Sequence, residues 1–402
     1  MYFKTRLIMK KLLIKHKLLP VLVSVMVLMV AGLMIAPKAK AATYSVINTN
    51  DSGAGSLRQA IIDANANAGS DIISFAIAGA GQHTITLSSS LPLITDTVTI
   101  NGLSQSGSVC NGTSTMPNIV INLNGQGNPI QFLAGAENSE INGLAIYGSL
   151  NNSYAVLLDT DSVTVRCNFF GTTDGITSVS VGNNSDWLHM EGADLIIGGT
   201  ADTDTNVFLG SGALISDDGL AAGGVTISHN YISLGLDGTT VATSPNGGLA
   251  LGSIYTSVTI ENNHLGGIPN GITFAAGASG TSNVVIQYNT IGTTADGQTA
   301  IGGTGYGINS VADLDTVLIA NNVITSASER SAILLASQPT SSVTVQDNML
   351  NVSADGTTAF TTDASGLISN APGSHDWFVS GNTVFSGLYE GILINNTGDN
   401  FL

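Results

Sequence analysis

One phrase recurs in this chain at a fixed interval, and few architectures can repeat it. Its clearest copy is Val284-Val285-Ile286-Gln287-Tyr288-Asn289-Thr290-Ile291, followed by Asp296-Gly297. The phrase returns at Val225, Asn230 and Asp237-Gly238, and again at Val343, Asn348 and Asp355-Gly356. Asn230, Asn289 and Asn348 are 59 residues apart, as are Asp237, Asp296 and Asp355. A shorter form without Asp-Gly lies between them, at Val258 with Asn263 and Val317 with Asn322. The unit is thus a long coil of 33 residues followed by a short one of 26. Apolar residues alternate at i and i+2 (Val258 and Ile260; Val284 and Ile286), which is the period of a strand. β-Branched residues fill these positions, with Gly, Asn and Asp between them. A lone coil of this length cannot bury its apolar face, whereas stacked neighbours can. These features predict an all-β parallel β-helix, a solenoid whose coils pair about 4.8 Å apart.

In that register the recurring asparagine falls where one strand bends into the next. Asn168, Asn230, Asn263, Asn289, Asn322, Asn348 and Asn382 are expected to form a hydrogen-bonded ladder. Each is also expected to supply the left-handed conformation of the bend. A polar row that binds a ligand is the alternative.

The first forty residues are of another kind. Lys4, Arg6, Lys10, Lys11, Lys15 and Lys17 precede an apolar run at 18–36 and then Ala39-Lys40-Ala41. This reads as a secretory signal peptide over residues 1–41, cut after Ala41. An uncleaved membrane anchor is the other reading, since the run is nearly long enough to span. Either way, export to the cell surface or medium is expected.

Without that segment the chain keeps only Arg58, Arg166 and Arg330 against 28 acidic residues, a formal net charge of −25. Nucleic acid and anionic membranes are therefore disfavoured as partners. The only two cysteines, Cys110 and Cys167, suit a disulfide in an exported protein.

Residues 42–82 read as an N-terminal cap of strand, helix and strand, and 83–402 as β-helix repeats. Ser56 and Gln59 fit a capping box. Leu57, Ala60, Ile61 and Ala64 make an apolar stripe at helical spacing. The stretch Asn50-Asp51-Ser52-Gly53-Ala54-Gly55-Ser56-Leu57-Arg58-Gln59-Ala60-Ile61, with Asp71-Ile72-Ile73-Ser74-Phe75 after it, resembles the C-S-L-R-E-A-I motif domain. Gly55 stands for the motif's Cys and Gln59 for its Glu, so this is a variant. The phrases Asn289-Thr290-Ile291-Gly292-Thr293 and Leu195-Ile196-Ile197-Gly198-Gly199-Thr200 are similar to repeats of the same proteins. The resemblance implies a bacterial surface protein built as a right-handed parallel β-helix. Such proteins include adhesins and passenger-type surface proteins.

Chemistry is harder to locate. β-Helical lyases generally abstract a proton with Lys or Arg beside Ca²⁺. Here only Arg166 and Arg330 lie outside the cap helix. Arg166 is expected to face outward, and Arg330 to pair with Glu329. A glycoside hydrolase needs paired carboxylates. Asp217-Asp218 with His229 resembles part of the polygalacturonase pattern, without its Gly-His-Gly or Arg-Ile-Lys. Asp237, Asp296 and Asp355 should lie two coils apart, about 10 Å from one to the next. They could each cap a turn or together bind Ca²⁺, although one carboxylate per site is few for that ion. Trp187, in a stretch at 176–192 that departs from the repeat, is the candidate sugar-stacking residue; packing against the coils is its simpler role. No cofactor other than Ca²⁺ is suggested.

These readings favour a non-catalytic, adhesin-like or structural scaffold whose partner is a carbohydrate or another surface protein. The alternative is a polysaccharide-degrading enzyme, either lyase or glycoside hydrolase. The last phrase, at Trp377 to Asn382, is followed by no evident cap, which suggests self-association through the final coil.

Overall fold

The computed structural model describes residues 40–402 except 151–152, 180–185, 211–214, 218–222, 243–246, 303–304, 327–329, 338–339, 361–363, 370–375, 387–388 and 395–402. The expected signal segment thus lies almost wholly outside the described residues. Two compact units divide the chain, Met1–Lys40 and Ala41–Leu402. The second unit holds every described strand and the α-helix.

Its strands form three sheets of 12, 11 and 10 strands, in which every named strand pairing is parallel. The chain visits the sheets in turn, one strand in each per coil. This is a right-handed parallel β-helix, with the hand that parallel crossovers take. Like stacks on like in the first sheet. Val225, Val258, Val284, Val317 and Val343 form one column, and Ile227, Ile260, Ile286, Ile319 and Val345 the next. These residues point inward and are buried, while Thr226, Thr259 and Val285 between them point out.

The third sheet is written in a different phrase. Four of its strands begin directly after Gly248, Gly271, Gly307 and Gly391, and Gly366 is the second residue of Ser365–Ser369; each of these glycines is followed by Leu or Ile. A Cβ on Gly271 would lie 2.3 Å from the carbonyl oxygen of Gly307 in the next coil, and one on Gly248 would lie 2.2 Å from that of Gly271. The close approach of successive coils excludes a side chain there. The stretch holding Trp187 belongs to this sheet. Asp186–Met190 pairs with Tyr154–Leu158 below and Ile215–Asp217 above, so it is a regular strand rather than a departure from the repeat.

At the N-terminal end, Thr43–Val46 and Asp71–Phe75 are the first two strands of the 12-stranded sheet. The expected cap is therefore continuous with the coils. The helix Leu57–Ala66 buries Leu57, Ala60, Ile61 and Ala64 against those two strands. Ser56 Oγ accepts from the Gln59 backbone, 3.2 Å, but the Gln59 side chain donates to Asp63 instead of reaching back. Half of the expected capping box is formed. Arg58 binds Asp51 at 2.8 Å and the carbonyls of Ser89 and Ser90, which ties the helix to the following coil.

The alternation of long and short coils has a physical cause. In each long coil the Asp-Gly segment is a small hairpin closed by a bridge, Leu234 with Val241, Thr293 with Ala300, and Val352 with Ala359. These hairpins lean across the short coil between them and bond to one another. Ala295 N donates to Gly238 O and Ala354 N to Gly297 O, both at 2.9 Å. Leu236 N likewise donates to Gly175 O, 2.8 Å. The expected row of separated loops is a touching row, and the repeat of 59 residues is one coil with a hairpin plus one coil beneath it. A second apolar cluster, including Val120, Ala145, Phe169, Val207 and Leu236, forms apart from the central core. Phe169 belongs to it while the adjacent Phe170 belongs to the central core, so the second sheet is apolar on both faces here.

Candidate functional site

The ladder asparagines lie at the corner between the first and second sheets. Side-chain amides donate upward from Asn230 to Asn263, Asn263 to Asn289, Asn289 to Asn322 and Asn322 to Asn348, all at 3.0 Å. Asn168 at one end and Asn382 at the other join the same chain. Asn206 is an eighth member, donating to Asn230 at 2.9 Å. Nine residues separate it from Ile197 instead of the usual three, which hides it in the sequence. Its signal is Asn206-Val207-Phe208, a match to Asn168-Phe169-Phe170.

Each amide also caps backbone. Asn289 Nδ2 donates to the carbonyls of Ile260 and Gln287, both 2.9 Å. The left-handed residue is not the asparagine but the one before it. Cys167, His229, Asn262, Tyr288, Asn321 and Asp347 have φ of 54–60°. The asparagine must point inward to reach the stacked carbonyls, so the bend falls one position earlier. Holding non-glycine residues there costs about 1–2 kcal/mol each, which the ladder's hydrogen bonds offset.

The acidic candidates are drawn into construction. Asp217 ends a third-sheet strand and is buried. It accepts from Gly252 N at 2.9 Å, from the Ser253 hydroxyl, and from the Tyr255 hydroxyl at 2.8 Å, all in the next coil. Burial pushes its carboxyl above the usual range, against the pull of those donors. The same burial, with the Asp217 charge, pushes the Tyr255 phenol up. Asp218 lies outside the described residues. Asp217 and His229 occupy different corners, the former between third and first sheets, the latter between first and second. The structure does not bring them together.

Asp237, Asp296 and Asp355 each bind their own hairpin. Asp237 accepts from the backbones of Thr239 and Thr240, Asp296 from the Thr294 hydroxyl and Gln298 N, and Asp355 from Ser353 and Thr357. Asp174 does the same with Ile176 and Thr177. Partial burial alone would raise Asp237, but the threonine donors hold it below the usual carboxylate range. Asp296 is held low by Thr294 and then Gln298. Among the described residues no group of three or more His, Cys, Asp or Glu could hold a metal ion.

Trp187 is fully buried and packs into the central core, so it offers no face to a sugar. Beside it lies a cluster that the sequence did not suggest. His189 stacks on Tyr154 with ring centroids 3.9 Å apart, and its Nδ1 lies 3.0 Å from Ser216 Oγ. The Ser216 hydroxyl donates to Asp186 at 2.5 Å. That hydroxyl proton is directed at a carboxylate and not at the imidazole, the reverse of an activated serine. Arg166 bridges Glu140 at 2.8 Å and Asp204 at 3.3 Å. Arg330 donates to the Tyr306 hydroxyl and lies over its ring; Glu329 is outside the described residues.

Cys110 and Cys167 are joined in a disulfide. The bond ties the loop at 104–117 to a later coil, and the 3-10 turn Gly112–Ser114 packs against that of Asp202–Asp204. Where this arm stops, a groove of about 340 Å³ opens. Asn111 and Thr113 of the arm form one wall. His229 and Asn262, at left-handed positions of successive coils, form another. Tyr231 and His264 stand side by side in the second sheet, with centroids 4.7 Å apart and rings tilted by 54°. All four of these coil side chains are half-buried. His229 Nδ1 donates to the carbonyl of Gly199 at 2.9 Å, so in the neutral ring Nε2 is the acceptor.

No family model and no curated relative matches this chain. Among solved structures, the Streptococcus pneumoniae surface protein and adhesin PfbA is similar over 89% of this chain and 97% of that chain, at 14% identity and a TM-score of 0.36. The fold assignment rests on the strand pairing and not on that likeness.

Proposed function

We propose that this chain is a non-catalytic, exported scaffold of the adhesin-like kind, which presents its flanks and loops to a carbohydrate or another surface protein. The observation that carries this reading is the state of Asp217. Its two carboxylate oxygens take three donors from the next coil, so the residue best placed for acid–base work serves instead to hold two coils together. The hairpin aspartates are engaged too, each by donors of its own hairpin. Acid–base hydrolysis of a glycoside needs two carboxyl groups facing one bond, and none of the described residues that line the groove carries a carboxylate. The basic leader followed by an apolar run supports export.

The test is a panel of neutral and acidic polysaccharides incubated with the full chain, read as new reducing ends or unsaturated products. No turnover is expected, and Asp217→Asn is expected to lower the melting temperature. Turnover by the wild type that disappears in a folded Asp217→Asn protein would overturn the scaffold reading.

A further inference from the structure

We infer that removal of the leader completes the N-terminal cap: the α-ammonium of Ala42, released by a cut after Ala41, becomes the ion-pair partner of the buried carboxylate of Asp71. The inference rests on the export part of the scaffold reading and makes the product of processing a structural element.

Asp71 opens the second strand of the first sheet and shares the inward face with Ile73 and Phe75. Only 1% of it is exposed. Its Oδ1 accepts from the Ala42 backbone N–H and from Asn67 Nδ2, both at 2.8 Å. Among the described residues its Oδ2 has no hydrogen-bond partner. A carboxylate oxygen buried without a donor is costly, and buried polar groups are nearly always matched. A peptide N–H at Ala42 offers one proton and no formal charge. An α-ammonium at the same nitrogen offers three protons and a positive charge, as the ammonium of a lysine does.

The sheet holds that nitrogen in place without help from the leader. Ala42 O accepts from Ile72 N at 2.9 Å, and Thr43–Val46 pairs with Ile72 to Phe75. These bonds survive a cut after Ala41, because each lies on the C-terminal side of it. Lys40 and Ala41 are exposed and precede the first strand, and the boundary between the two compact units falls at Lys40.

The surroundings call for a cation. Asn67 is the C-cap of the helix Leu57–Ala66, so its bond to Asp71 sets the carboxylate at the C-terminal end of that helix. A helix end of that polarity favours positive charge, and its last turn carries no basic residue. Asp63 on the helix and Tyr44 on the first strand face the same corner, where partial burial and then the charges of Asp71 and Asp63 raise the Tyr44 phenol. The three arginines of the mature chain are committed elsewhere: Arg58 to Asp51, Arg166 to Glu140 and Asp204, and Arg330 to Tyr306. Lys40 leaves with the leader. The new terminus supplies the charge that no side chain brings to this place.

The experiment exports the full chain from a bacterial host and reads its N-terminal peptide by mass spectrometry. A start at Ala42 is expected. The mature chain has no lysine, so the α-amino group is its single amine, and the pH dependence of acetylation gives its pKa directly. A value of about 9 or higher is expected, against about 8 for a free α-amino group. Burial alone would lower the value, so a raised one marks the pair. Asp71→Asn keeps an acceptor for Ala42 and is expected to return the value to about 8, with circular dichroism unchanged. An exported chain that starts elsewhere would overturn the inference and leave the scaffold reading standing. So would an ordinary value in the wild type, which needs no variant to fold, or a raised value that survives Asp71→Asn. A chain that stays inside the cell with its leader intact would bring down the export reading as well.

Discussion

The asparagine ladder and the aspartate hairpins are built from nearly the same side chain, repeat with the same period, and sit on neighbouring parts of one coil. Their environments differ. Asn289 and its neighbours are fully buried, and each amide serves two coils. Asp296 is exposed, and its carboxylate serves only its own hairpin. A polar group shielded from water must find every partner in the protein, whereas one at the surface can exchange its partners for water. The ladder therefore holds coils to one another, and the aspartates set the shape of loops that themselves bond across coils.

The sharpest way to break this contrast is to delete one rung. Asn289→Ala removes the donor to Ile260 O and Gln287 O, strands the backbone amide of Asn263, and leaves Asn322 Oδ1 with only the backbone N–H of position 289. A loss of roughly 3 kcal/mol or more is expected, read by urea unfolding and by hydrogen exchange across the adjoining coils. Asn382→Ala, at the half-buried last described rung, should cost about 1 kcal/mol. Equal losses at the two positions would show that burial does not set the ladder's strength.

Deleting a hairpin cap should do much less. Asp296→Ala loses the bonds from Thr294 and Gln298, but water can take both donors. A cost of about a few tenths of a kcal/mol is expected, seen as faster exchange in residues 294–299 with the ladder unchanged. A loss as large as that of Asn289→Ala would mean that the touching hairpins, and not the ladder, hold the coils in register.

How much of this could be read from the chain follows the same division. The ladder was legible because a fixed offset from two inward β-branched residues leaves a single place for each asparagine, from Asn230 to Asn382. Asn206 was not, because six extra residues come between it and the strand that sets the count. The bend one residue earlier was hidden as well, since His229, Tyr288 and Asp347 share no side-chain property, only a φ. The third sheet was missed because its strands are short and announced by glycine. There the constraint is the space left by the next coil's carbonyl, and no pattern of hydrophobicity records it. The stretch holding Trp187 was taken as a departure from the repeat for this reason. The groove was beyond reach altogether. It is made where Asn111, from one loop, meets His229 and Asn262, more than a hundred residues later.

Titration separates the two rows most finely, because amides do not ionise in the range where carboxylates do. Asp237, Asp296 and Asp355 are held below their ordinary value of 3.8 in the folded protein. Each thus contributes stability that is complete above that value and is lost as pH falls through its folded pKa. Asp217 runs the other way. Burial raises its folded pKa, so its ionisation opposes folding, with a cost that is absent below 3.8 and grows as pH rises through the folded value. On acidification, Asp217 should be relieved first and the hairpins loosened afterwards. The ladder should be indifferent to both steps. Hydrogen exchange, corrected for its intrinsic pH dependence, should show protection at the backbones of Thr240, Gln298 and Thr357 falling below about pH 3.8, while Asn263 and Asn289 keep theirs. In the Asp217→Asn protein the first step should vanish and the second remain. If hairpin and ladder amides lost protection together, the two rows would form one cooperative unit, and the distinction between holding coils and shaping loops would fail.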